Sequence, residues 1–136
     1  MSELAALVRE RAKGRWEYCL LPESSFRGSF HVEHTIARQH GGATDVDNLA
    51  FACGRCNLKK GPNLAGLDPA DRKLTELFNP RTQSWSNHFE IFPQSNGPDI
   101  RGKTAIGRAT VHVLGLNDEA RIGVRANLRK QGVWPS

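Results

Sequence analysis

The stretch that decides the fold is residues 31–61, which read HVEHTIARQHGGATDVDNLAFACGRCNLKKG. It holds three of the five histidines and two of the three cysteines of the chain. These are residue types that act as bases and metal ligands. A Gly-Gly turn and a Lys-Lys pair lie within the same stretch. We therefore interpret it as a functional site and the flanking segments as its support.

Hydrophobic patterning divides this region into strand, long loop, strand and helix. Residues 30–36 alternate and predict a strand, and residues 40–47 contain the Gly-Gly pair and predict a long turn. Residues 48–52 are short and apolar, which favours a return strand. Residues 53–60 predict a short helix that ends at the Gly-Pro pair at 61–62.

The flanks predict an N-terminal helix and a C-terminal extension around this core. Residues 2–13 suit an amphipathic helix capped by Ser2, residues 16–20 alternate like a short strand, and residues 23–29 predict a loop. Further along we expect coil over 62–87 with a helical turn at 70–78, strands at 88–92 and 100–104, and helices at 105–116 and 118–130. The fold class is therefore α+β, as one domain over residues 1–136 with its core at 15–62 and an extension at 63–136.

The charge is concentrated near the C-terminal end of the chain. Residues 1–100 carry 12 Lys and Arg against 12 Asp and Glu, whereas residues 101–136 carry 7 against 2. This difference accounts for the net charge of +5. A basic segment can neutralise phosphates. Many soluble domains are mildly basic without a specific reason, so the charge only supports a nucleic-acid partner.

Several function classes are disfavoured by composition. No apolar run approaches the length of a membrane helix, so we expect no membrane partner. The first residues, MSELAALVRE, lack the basic start and apolar core of a secretory signal. Three cysteines do not suit a secreted disulfide framework. We therefore expect a cytoplasmic protein.

The residue types at the centre of the stretch suit phosphodiester hydrolysis. That reaction needs a base for water and a cation for the phosphate charge. Histidine is the residue type best suited to act as the base, which points to His34. A carboxylate such as Glu33 is a hard ligand for Mg²⁺ or Mn²⁺. A carbonyl oxygen from Asn48 would accept the other ring N–H of His34. Adjacent strand residues face opposite ways, so Glu33 and His34 serve one site only where the strand ends.

The ordered string EHTIARQHGG-x5-NL-x3-CxxCNxxKG resembles the HNH endonuclease family in its HNN form. This resemblance implies a ββα-metal fold over about residues 15–62 and metal-dependent cleavage of DNA. It implies that His34 is the general base and Asn48 its orienting residue, with Glu33 and Asn57 as ligands of Mg²⁺ or Mn²⁺. The family often has Asp and His at the two ligand positions, and Glu and Asn still supply oxygen. Residues 63–131 also resemble, more weakly, the tail of a small, mostly bacterial subgroup through WSNHF and IGRATV.

One departure concerns a structural zinc. Members of the family commonly carry a second CxxC in the first hairpin, and here Trp16 stands where its first Cys would be. This leaves Cys19, Cys53 and Cys56 for a metal that prefers four ligands. Either Zn²⁺ binds with a substitute ligand, or Trp16 packs there and the site is dry.

Basic side chains near the stretch and in the last helix are candidates for nucleic-acid contacts. An ordinary solvated surface is an equal alternative for each of them. The candidates are Arg38, Arg55, Lys59 and Lys60 near the site, and Arg121, Arg125 and Arg129 as a stripe on the last helix.

The leading hypothesis is a metal-dependent DNA endonuclease. The alternatives are a non-catalytic DNA-binding module or a zinc-knuckle module on the same fold. The site chemistry does not distinguish DNA from RNA, and the sequence gives no oligomeric state.

Overall fold

A computed structural model describes residues 2–25 and 30–134 of the chain. Residues 26–29 of the predicted 23–29 loop lie outside the described residues. The chain divides into two compact units, one from Met1–Leu64 and Asn79–Gln83, the other from Ala65–Phe78 and Ser84–Ser136. Helices and small antiparallel sheets make up both, which confirms the α+β class. Within the described ranges, no helix is long and apolar enough to cross a bilayer.

The first unit contains the predicted strand–loop–strand–helix core. Helix α1 (Glu3–Arg11) precedes strand β1 (Phe30–His34), strand β2 (Leu49–Cys53) and helix α2 (Gly54–Lys60). The two strands pair antiparallel, from Phe30 opposite Cys53 to His34 opposite Leu49. The Ser2 hydroxyl accepts a hydrogen bond from the Ala5 N–H and caps α1, as its residue type favours.

Strand β2 forms the centre of this unit. Each of its residues, Leu49 through Cys53, is buried. Val8 of α1 and the side chains of Trp16, Tyr18 and Leu21 are buried as well. Removing this much apolar surface from water is the main stabilising term for the hairpin.

Residues 16–20 form a tight turn, so the predicted strand there is wrong. The Leu20 N–H donates to the Trp16 carbonyl at 2.9 Å, and the Trp16 N–H donates to the Leu21 carbonyl at 2.9 Å. Leu20 adopts a left-handed φ of 61°. Trp16, Tyr18 and Cys19 are all buried. The alternation of large side chains is therefore compatible with a turn, in which Trp16 and Tyr18 are buried and Leu20 is half-buried.

The second unit begins with a hairpin where the sequence predicts coil. Strand β3 (Ala65–Leu67) pairs antiparallel with strand β4 (Leu74–Glu76), with Leu67 opposite Leu74. The predicted helical turn at 70–78 is therefore wrong. The intervening turn is held by Asp68, whose carboxylate accepts from the Ala70 N–H at 3.0 Å. This side-chain bond closes a turn that residue propensities alone do not specify.

The predicted C-terminal hairpin and two helices are present in the second unit. A short helix α3 (Trp85–His88) leads into strands β5 (Phe89–Phe92) and β6 (Asp99–Gly102), which pair antiparallel. Helices α4 (Ala105–Leu114) and α5 (Glu119–Lys130) follow. Their ends follow sequence signals, since Thr104 and Asp118 cap the N-termini and Gly115, with a φ of 59°, ends α4.

Candidate active site

His34 is the last residue of β1, and its ring is held by the loop that follows. The Nε2 atom lies 2.8 Å from the Oγ1 atom of Thr44. In the tautomer in which Nε2–H donates to Thr44, Nδ1 is the basic nitrogen. The motif gave no indication of Thr44, because only closure of the loop brings it to the ring.

Asn48 holds the loop rather than the ring. Its Oδ1 atom accepts from the Thr35 hydroxyl at 2.7 Å and from the Ile36 N–H at 3.0 Å. Its Nδ2 atom donates to the carbonyls of Ile36 and Ala43, each at 2.9 Å. These contacts correct the prediction that Asn48 bonds directly to the His34 ring, because its side chain bonds to Thr35, Ile36 and Ala43 instead. Asn48 joins the two ends of the loop whose middle reaches the histidine.

The conformation of this loop favours glycine at both positions of the Gly-Gly pair. Gly41 has a left-handed φ of 89°, which glycine adopts readily. A Cβ atom on Gly42 would lie 1.7 Å from the Ile36 carbonyl oxygen and 2.8 Å from Nδ2 of Asn48. Only glycine permits the backbone to approach the Asn48 side chain this closely.

Glu33, the residue before His34 in β1, forms a buried ion pair with Lys60 of α2. The Lys60 Nζ atom lies 2.9 Å from Glu33 Oε1, and the side chains are 3% and 4% exposed. Burial raises the pKa of Glu33, and the Lys60 ammonium opposes that rise. Burial, and then the neighbouring Glu33 carboxylate, raise the pKa of Tyr18. The expectation that Lys60 contacts nucleic acid is corrected, since its ammonium lies inside the protein.

Glu33 and Asn57 carry oxygen atoms of the types that a hard divalent cation takes. Because Glu33 contacts Lys60, its carboxylate faces α2. Asn57 precedes Lys60 by three positions on that helix, so the two side chains share one helix face. A carboxylate and an amide oxygen from facing elements are the donor types that Mg²⁺ and Mn²⁺ take. A cation held by Glu33 and Asn57 would share the carboxylate with the ammonium of Lys60.

The three cysteines form a second candidate metal site. The sulfur atoms of Cys19, Cys53 and Cys56 all lie within 4.8 Å of one another, and all three residues are buried. Hydrogen bonding with Cys53 is the main cause that raises the pKa of Cys19 to about 12. The Cys53 sulfur also accepts from the Cys56 N–H at 3.2 Å and caps α2.

This thiol cluster supplies three of the four ligands that a structural zinc takes. Among the described residues, no histidine or carboxylate joins the three sulfurs. Trp16 is 1% exposed and begins the same turn that carries Cys19. The cluster therefore offers a thiophilic metal three ligands and lacks a fourth among the described residues. The buried indole of Trp16 occupies the sequence position where the fourth cysteine would be.

The basic residues that the sequence suggests for nucleic-acid contact differ in their exposure. Arg38, Arg55 and Lys59 in the first unit and Arg129 in the second are exposed. Arg121 and Arg125, at 1% and 0% exposed, are not. The prediction of a basic stripe on the surface of α5 is therefore wrong, because two of its three arginines are buried.

The two buried arginines bind carbonyl oxygens at the end of α4. Arg121 donates to the Gly115 carbonyl at 2.8 Å, and Arg125 donates to the Leu116 carbonyl. Arg125 also donates to Oδ1 of Asn117 at 3.0 Å. The last carbonyls of a helix lack partners within the helix, and the guanidinium groups supply them.

Comparison with known proteins confirms the family resemblance. Residues 17–63 match the model of the HNH endonuclease family. The chain is also 33% identical over 123 residues to the Septu protein PtuB of Bacillus thuringiensis. That alignment covers 88% of this chain and 42% of the relative, so the chain spans less than half of its length. No solved structure matches significantly.

Proposed function

We propose that this chain is a metal-dependent endonuclease that hydrolyses phosphodiester bonds in DNA. One observation carries the proposal. A histidine at the end of a β-strand is held through one ring nitrogen by Thr44, within residues that match the HNH endonuclease model. A histidine that donates through one ring nitrogen can accept a proton at the other.

His34 is the general base in this proposal. The bond from Nε2 to Thr44 sets the orientation of the ring, and Nδ1 accepts the proton of the attacking water. Asn48 keeps the loop closed, so that Thr44 stays within reach of the ring. Glu33 and Asn57 would hold a divalent cation, and its charge would offset the negative charge at the phosphate and at the leaving oxygen.

Substrate binding is assigned to the exposed cations near the site. Arg38 precedes the Gly-Gly turn, and Arg55 and Lys59 lie on α2. All three residues are exposed, so their side chains can reach a phosphate backbone without sequence preference. Such contacts predict affinity that falls steeply with salt.

The test is cleavage of supercoiled plasmid with Mg²⁺ or Mn²⁺, with and without EDTA. We expect cleavage by the wild type, its loss in EDTA, and a fall of about 10²-fold or more in His34→Ala. His112→Ala is the matched control, because His112 is exposed on α4. Wild-type cleavage no greater than that of His34→Ala would contradict the proposal.

The same samples distinguish the alternatives. Equal DNA binding by the wild type and His34→Ala, without cleavage in any metal, would favour a non-catalytic DNA-binding module. Metal analysis that finds tightly held zinc, with neither DNA binding nor cleavage, would favour a zinc-knuckle module. A single-stranded RNA substrate in parallel shows which nucleic acid is preferred.

A further inference from the structure

Lys60 contacts both residues that flank His34 in the chain. Its Nζ atom lies 2.9 Å from Glu33 Oε1 and donates to the Thr35 carbonyl at 3.2 Å. Glu33 precedes the histidine and Thr35 follows it. One ammonium group on α2 therefore holds the end of β1 on both sides of the proposed base.

Lys60 is buried, so it holds the end of β1 and does not bind substrate. Its side chain is 3% exposed, whereas the neighbouring Lys59 is exposed. A lysine is rarely buried unless it is paired, because desolvation of its charge is costly. An ammonium that is enclosed by Glu33 and Thr35 does not reach a phosphate in solvent.

The segment after His34 is held by Asn48 as well. The Thr35 N–H donates to the Asn48 carbonyl at 2.9 Å, and the Thr35 hydroxyl donates to Oδ1 of Asn48 at 2.7 Å. Thr35 is thus tied to the loop by Asn48 and to α2 by Lys60. Together these contacts leave the His34 backbone little freedom, and small displacements of a catalytic group are costly to rate.

We propose that Lys60 is a positioning residue for His34, acting through the Glu33 carboxylate and the Thr35 carbonyl. The proposal rests on the proposed function, because it assigns His34 the role of base. Lys60 aligns the catalytic strand end, and Lys59, beside it, faces the substrate.

The kinetic test compares Lys60→Met, Lys60→Arg and Lys59→Met in plasmid cleavage. Lys60→Met is expected to lower kcat at least tenfold with KM changed less than twofold. Lys60→Arg keeps donors for both partners and is expected to recover part of kcat. Lys59→Met is expected to raise KM and to reduce the salt dependence of binding. Lys60→Met that behaves like Lys59→Met, with kcat retained, would overturn the proposal.

A spectroscopic test does not depend on cleavage. The ring ¹⁵N shifts of His34 report its tautomer and its bond to Thr44, with His112 as the internal reference. We expect the His34 shifts to change in Lys60→Met, to change less in Lys60→Arg, and to stay constant in Lys59→Met. If Lys60→Met does not fold, Lys60→Gln replaces it, since the amide keeps a donor without the charge.

The two proposals fail differently. Unchanged His34 shifts in a folded Lys60→Met or Lys60→Gln protein would overturn the positioning role, whatever the activity. Absence of wild-type cleavage together with changed His34 shifts would overturn the proposed function and leave the structural link between Lys60 and His34 supported.

Discussion

The Nε2 atom of His34 lies 2.8 Å from the Oγ1 atom of Thr44, ten positions further along the chain. Thr44→Val keeps the shape of the side chain and removes the hydroxyl. We expect cleavage to fall about tenfold or more, because the imidazole loses the partner that sets its orientation. Thr44→Ser keeps the hydroxyl and is expected to retain most activity. Rates from plasmid cleavage at fixed Mg²⁺ check this, and equal rates for the Val and Ser variants would refute it.

Asn48→Ala is expected to destabilise the first unit. The four hydrogen bonds of the Asn48 side chain join residues 35, 36 and 43. Their loss is expected to lower the free energy of unfolding by about 2 to 4 kcal/mol. Urea denaturation measures the change. Asn63→Ala, at an exposed position, is the control and is expected to stay within about 0.5 kcal/mol of the wild type.

The two glycines of the loop are expected to differ in their tolerance of alanine. Gly42→Ala places a Cβ 1.7 Å from a backbone oxygen, which is expected to cost about 3 kcal/mol. Gly41→Ala meets nothing within 4 Å and pays only for its left-handed φ, about 1 kcal/mol. Thermal or urea unfolding ranks the two. The reverse order would mean that the loop does not approach Asn48 in this way.

Trp16→Cys is expected to raise zinc binding. The variant restores a CxxC at residues 16–19 and supplies a fourth thiol to the cluster formed by Cys19, Cys53 and Cys56. We expect more zinc per chain than in the wild type after purification with added Zn²⁺, measured by elemental analysis. Trp16→Ala removes the indole without adding a ligand, so it separates the effect of the thiol from that of the cavity. Equal zinc content in the Cys and Ala variants would contradict the expectation.

Two arginines one turn apart on α5 are expected to behave oppositely. Arg125 is 0% exposed and donates to carbonyl and amide oxygens, whereas Arg129 is exposed. Arg125→Leu removes the guanidinium donor from the Pro98 carbonyl and from Oδ1 of Asn117, which keeps its bond from the Ile100 N–H. The loss is expected to cost about 3 kcal/mol in the second unit. Arg129→Leu is expected to change stability by less than about 0.5 kcal/mol. Amide hydrogen exchange in α4 and α5 measures both, and similar protection in the two variants would refute the burial of Arg125.

The helices and strands around the motif follow from local signals. Alternation over residues 30–36, the Gly-Gly turn and the Gly-Pro pair at 61–62 each act within a few residues. They therefore predict the β1–β2 hairpin and α2 without knowledge of distant contacts. The same holds for the caps of α4 and α5, because a cap bonds to the helix that it begins. The local patterns predict the wrong structure at residues 16–20 and 65–76. There, hydrogen bonds within the turns determine the backbone conformation.

By itself, the sequence determined which residue types are present and in what order: Glu33 and His34 at a strand end, Asn48 at the start of the return strand, and Asn57 on the helix. Only the tertiary structure decided which of them meet. It pairs Glu33 with Lys60 and His34 with Thr44, and it turns Arg121 and Arg125 inward. The physical reason is that a charged side chain becomes buried when distant backbone oxygens or a counter-charge replace its water. Neither partner is visible from the pattern around the residue.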